Sequence, residues 1–179
     1  MPVLLPRSLL GLAVLLVPLV LLGCDSGEDD EDNNQGGRYS LQATGAVIVS
    51  LDGQAYLFGV EDVPQGGADV AFGIQLGGRN PSPLNSFEFF FLDARPAVGT
   101  YPIIPLEKAG TLTNSEALLV ATLQDVPLAN LSGVLIVEEA SSDQLEGTFV
   151  FTGDGAFGGA VEAETIRAEG SFVARFLVL

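Results

Sequence analysis

Beyond residue 38 the apolar residues come in short runs that alternate with polar ones, and no run keeps helical spacing for three turns. Residues 69–76 show the pattern: Val70, Phe72, Ile74 and Leu76 share one face of a pleated chain, with Ala71, Gly73 and Gln75 on the other. Residues 86–92 place Phe87, Phe89 and Phe91 opposite Glu88, Phe90 and Leu92, which predicts a central strand covered on nearly both faces. Further strands are predicted over 41–50, 54–60, 117–123, 133–139, 145–152, 161–168 and 171–177. Asp52-Gly53 reads as a hairpin turn between the first two, because both central residues of a type I′ turn need positive φ. Gly170 marks either a turn or a bend within one long strand. The run NSEALLVATL, 114–123, has an Asn cap and good helix formers, yet it sits between strand runs at strand length and is read as a strand. Pro102 and Pro105 argue against regular pairing just before it. The pattern as a whole predicts an all-β domain over 39–179, an antiparallel β-sandwich or barrel of about 8–10 strands.

The amino terminus follows a different grammar. A short positive start ending at Arg7 leads into the apolar run 9–22, broken only by Gly11 and Pro18. That run suits a secretory signal and falls short of the roughly 20 residues of a secure membrane span. Leu21-Leu22-Gly23-Cys24 resembles the lipobox of bacterial lipoproteins, in which a small residue precedes the cysteine that receives lipid. The resemblance implies a signal peptide over 1–23, cleavage after Gly23 and lipid attachment at Cys24, including fatty acyl chains such as palmitate. Each buried methylene adds about 0.8 kcal/mol, so several chains together hold the protein to a membrane. An ordinary signal peptide with an incidental cysteine, or an uncleaved anchor helix, is the competing reading.

Residues 24–38 are then the lipidated cysteine and a tether. Within it, 25–37 reads DSGEDDEDNNQGG, with six acids and no apolar side chain, a composition that cannot bury enough surface to offset its ordering entropy. The run lacks the full calcium-loop pattern with its closing Glu. An acidic stretch after the lipidated cysteine resembles the surface-export signal of Bacteroidetes-like lipoproteins, whereas Asp25 would signal inner-membrane retention under the enterobacterial rule. The expected address is the outer membrane, facing outward.

Charge and residue usage narrow the chemistry. Seven basic against 23 acidic side chains give a net charge of −16, a field that repels phosphate backbones and makes nucleic acid a poor partner. With one cysteine and no histidine, there is no internal disulfide, thiolate zinc cluster or imidazole base. A Ser-Lys pair would depend on Lys108, the only lysine, in a Pro-flanked segment. Glu138, Glu139, Glu162 and Glu164 are candidates for a glycosidase-type carboxylate pair, with Glu162 and Glu164 on one strand face; the solvated face of a sheet accounts for them more simply. Gly153, Gly155, Gly158 and Gly159 lack the Lys-Ser/Thr of a phosphate loop and predict a turn. The expectation is a protein without catalytic residues, cofactor or metal site.

Three motifs recur in order: Val98-Gly99-Thr100-Tyr101-Pro102, then Leu145-Glu146-Gly147-Thr148-Phe149-Val150-Phe151, then Gly170-Ser171-Phe172. Their succession resembles a group of envelope lipoproteins from Bacteroidetes-like and Rhodothermus-like bacteria that carry domains of unknown function. It covers the chain from about Tyr39 onward, implies an all-β envelope domain, and carries no catalytic residue across. Two functions follow as expectations. One is a non-enzymatic binding or structural module whose loops, 77–85 and 93–110, contact a glycan or an envelope protein. The alternative is a lipocalin-like barrel, in which the strand 87–91 with Phe58, Phe72 and Phe149 lines a cavity for a small apolar ligand; ordinary core filling competes with it for the same rings.

Overall fold

A computed structural model describes residues 36–59, 70–77, 84–92 and 94–176. The alternation read from the sequence becomes alternation of burial. In β1 (Gly37–Gly45) buried and exposed residues take turns, and in β9 (Gln144–Gly155) every second residue is buried from end to end. The remaining strands are β2 (Val49–Gly59), β3 (Val70–Leu76), β4 (Asn85–Leu92), β5 (Gly99–Pro105), β6 (Ala117–Leu123), β7 (Val126–Pro127), β8 (Ala129–Ala140) and β10 (Glu164–Phe176). Nine of them close a barrel in the order β4-β3-β2-β1-β10-β9-β8-β5-β6 and back to β4, while the two-residue β7 pairs only with β6. The all-β expectation holds, and the architecture is the barrel.

Successive strands around the wall run antiparallel except at the seam where β5 and β6 pair in parallel over Ile103–Pro105 and Ala117–Leu119, and beyond the end of β1 the last residues of β10 also pair in parallel with Tyr56 and Leu57 of β2. A parallel pair needs a crossover, and here it contains the 3₁₀ turn Leu106–Thr111. Outside the wall Ile104, Leu112 and Leu118 are buried together against Phe90, Leu92 and Ala109. On its other face β4 buries Phe87, Phe89 and Phe91 in the main core. The strand is thus covered on both sides, as its composition predicts.

Aromatic rings fill the barrel. Phe89 meets Phe149 at 5.5 Å between centroids, Phe87 meets Phe151 at 6.1 Å and Phe91 meets Tyr101 at 5.4 Å, all separations at which ring pairs attract. Aromatic residues also stand directly across from glycines on neighbouring strands. Tyr39 faces Gly53, Phe58 faces Gly73, Phe172 faces Gly147 and Phe149 faces Gly170. A Cβ on Gly53 would lie 2.9 Å from the Tyr39 ring, and one on Gly73 only 2.2 Å from that of Phe58. A ring laid over a cross-strand glycine restores the packing that the glycine lacks. The two later motifs form a reciprocal pair of this kind, with Gly147, Thr148 and Phe149 opposite Phe172, Ser171 and Gly170.

These contacts explain where the sequence reading departs from the fold. Asp52-Gly53 is not a turn: it lies inside β2, with Asp52 opposite Ser40 and Gly53 opposite Tyr39. Gly53 is there to make room for a ring, and the chain turns instead after Gly45, whose φ is +109°. Pro102 and Pro105 both lie in β5, contrary to expectation. The parallel seam begins only at Ile103, so Pro102 sits where β5 has β8 alone as a paired neighbour, and Pro105 ends the strand. Gly170 lies within one continuous β10. Gly153 and Gly155 are strand residues, and the turn falls on Gly158 and Gly159 at φ of +61° and +82°. The segment 93–110 holds β5 and the 3₁₀ turn, so it is not a free loop. β1 begins at Gly37, where a Cβ would lie 1.6 Å from the Val173 carbonyl oxygen.

Candidate functional site

With the interior occupied by rings, the notable concavity lies on the outside of the wall. Five consecutive strands, β2, β1, β10, β9 and β8, carry it. Their register aligns outward side chains in rows that cross the strands. One row runs Asp52, Ser40, Ser171, Thr148, Ile136; the next runs Ser50, Gln42, Glu169, Val150, Val134. All ten line a trough of about 850 Å³. A smaller hollow of about 360 Å³ shares Ser40, Thr148 and Ser171 with it and adds Arg38, Glu138 and Glu146. Gly170 also lines the trough, through its backbone. A Cβ on Gly170 would lie 2.2 Å from the Ser40 carbonyl oxygen, so strands β1 and β10 approach here as only glycine allows.

The rows divide by chemistry. On β2, β1 and β10 the trough presents Ser50, Asp52, Ser40, Gln42, Ser171 and Glu169, and on β9 and β8 it presents Val150, Val134 and Ile136 beside Thr148. Ser40 and Ser171 are hydrogen-bonded to each other at 3.2 Å. Glu169 is paired with Arg167 at 3.1 Å, both half exposed. In the adjoining hollow the Thr148 hydroxyl donates to Glu138 at 3.3 Å. Beneath the polar wall, burial and then the nearby Asp52 carboxylate hold the Tyr39 hydroxyl above its ordinary pKa, so it stays protonated.

Among the described residues the catalytic candidates read from the sequence do not gather into one site. Cys24 lies outside the described residues. Lys108 sits exposed in the 3₁₀ turn. Glu138, Glu139, Glu162 and Glu164 are all exposed; Glu162 precedes β10, which begins at Glu164, so those two do not share a strand face. Among the described residues no three potential metal ligands come together. Two other acids have perturbed surroundings. Glu88 is half-buried on β4 and accepts a 3.3 Å hydrogen bond from Gln75, and burial pushes its carboxyl up. Asp154, partly exposed on β9, is held below the ordinary carboxylate range by hydrogen bonds from Thr165 at 2.7 Å and Asn130 at 2.9 Å.

The trough escapes sequence reading because its members look like the ordinary solvated positions of separate strands. Only the register, which no single-strand pattern contains, sets them side by side. Compared with known protein families, curated proteins and solved structures, the chain matches none.

Proposed function

We propose that this is a lipid-anchored envelope protein, attached through Cys24, that serves as a non-enzymatic binding module with the outer trough as its binding surface. The observation that carries the reading is the contrast between an interior packed with phenylalanine rings and an external concavity lined by polar and aliphatic side chains on opposite sides. A trough of about 850 Å³ falls within the range of about 300–1,000 Å³ found for ligand sites. The lipobox motif and acidic tether support the address. The absence of histidine supports binding over catalysis.

The test of the address is mass analysis of the mature terminus combined with protease shaving of intact cells, for the native chain and for Cys24→Ala. A lipid-modified Cys24 and release by external protease are expected, with both lost in the variant. An unmodified terminus would sink the anchor.

The closed barrel also supports a second reading, a lipocalin-like site for a small apolar ligand. Such a ligand would have to displace rings that already touch across the core, which is why the trough is preferred. Saturable uptake of a fluorescent fatty acid by the native protein, weakened by Phe89→Trp, would reverse that preference.

A further inference from the structure

If the trough is the binding surface, its two walls narrow the chemistry of what it holds. The polar wall offers short hydroxyls and an amide at Ser40, Gln42, Ser50 and Ser171, with carboxylate acceptors at Asp52 and Glu169. The facing wall offers branched aliphatic side chains at Val134, Ile136 and Val150. An occupant therefore needs a hydroxyl-rich edge and an apolar face in the same unit. An extended peptide fits poorly, because β1, β10 and β9 are each flanked by paired strands on both sides and present no backbone edge for strand addition. An anionic chain meets Asp52 and Glu169 within an acidic protein. A cationic one finds Glu169 already engaged by Arg167, with Arg38 in the adjoining hollow.

We propose that the trough takes a neutral oligosaccharide, whose hydroxyls bond to the Ser40, Gln42, Asp52 and Ser171 side while its C–H faces pack on Val134, Ile136 and Val150. The trough spans five strands, roughly 19 Å at about 4.8 Å per strand, and so accommodates a linear chain of sugars laid across the wall. Specificity comes from the register that sets the hydroxyls in rows, and not from any flexible loop.

The experiment is titration calorimetry of the full chain in detergent with maltohexaose, cellohexaose, xylohexaose and mannohexaose, and with hexalysine as a charged comparison. Concentrations extend to about 10 mM, roughly tenfold beyond a Kd near 1 mM. Ser171→Arg places a long side chain at the centre of the trough, and Gln42→Ala removes one donor. Ser115→Arg adds the same bulk at an exposed site away from the rows. Binding of at least one neutral sugar is expected, weakened about tenfold or more by Ser171→Arg, less by Gln42→Ala, and unchanged by Ser115→Arg. The variants must keep the native circular dichroism and melting temperature; if Ser171→Arg does not, Gln42→Ala and Ser50→Ala decide. Failure of all four sugars, or binding insensitive to the trough variants, overturns the proposal. Trough-sensitive binding of hexalysine alone also overturns it, yet leaves the trough as a binding surface, and no outcome here bears on lipidation of Cys24.

Discussion

At the scale of single residues, glycines and the rings opposite them govern the wall, and they are not equivalent. An alanine Cβ at Gly170 would meet the Ser40 backbone carbonyl, which cannot yield unless β1 moves. Gly170→Ala should therefore cost about 3 kcal/mol or more in urea unfolding, as overpacking against backbone does. At Gly73 the obstacle is the half-buried Phe58 ring, which can swing aside, so Gly73→Ala should cost only about 1 kcal/mol. Equal costs would mean that the glycines do no more than loosen the strands. Glu88 bears on pH. Its folded pKa is raised, so the stability associated with its protonated form is full at acid pH and is lost as pH rises through that folded value. Glu88→Gln should raise the melting temperature at pH 7 and leave it unchanged below about pH 4, where the native carboxyl is already neutral. The motifs that contain Gly147 and Gly170 are visible in the sequence as repeated Gly-polar-Phe triplets. Their meaning is not, since it lies in the pairing of Gly147 with Phe172 and Phe149 with Gly170.

Among the elements, most strands were legible because alternation of apolar and polar residues is a local property. That holds for β3, β4, β6 and β9, and for the choice of strand over helix in β6. What failed was punctuation. Asp-Gly reads as a turn whenever φ alone is considered, yet Gly53 answers to the Tyr39 ring across the sheet. Insertions separate the two readings. Two glycines inserted after Val47, in the true turn, should cost less than about 1 kcal/mol, since lengthening a loop is inexpensive. One glycine inserted after Asp52 should abolish the native fold, because a one-residue slip sends the rest of β2 to the wrong face. Near-native circular dichroism and melting for the second insertion would contradict the assigned register. Proline misled for a related reason: whether Pro102 is tolerated depends on where β6 begins, a fact of the neighbouring strand and not of β5.

For the molecule as a whole, closure rests on side chains as well as on the ladder. The Arg95 guanidinium donates to the carbonyls of Ser142 and Gln144 at 2.7 and 2.6 Å, and it lies 5.9 Å and 5.5 Å from the Phe72 and Phe176 rings. It thereby ties the β4–β5 connection to the β8–β9 turn and to the end of β10. Arg95→Met should lower stability by about 2 kcal/mol, and Arg95→Lys by nearly as much, because an ammonium cannot fork to both carbonyls. The interior reading was only half legible: the phenylalanines announced a core, while sandwich and barrel differ in strand order, which long-range pairing decides.

The parallel seam gives this closed wall a door. β9 and β10 are paired along almost their whole lengths, whereas β5 and β6 meet only over three residues each. Local opening should begin where the ladder is shortest. In native-state hydrogen exchange, amides at 103–104 and 117–119 should exchange through a low-energy breathing motion, and those in the middle of β9 and β10 only through global unfolding. Since Phe91 packs on Tyr101 of β5, each such opening would briefly bare aromatic surface, making this seam the place where the protein first becomes vulnerable to proteases and to its own neighbours.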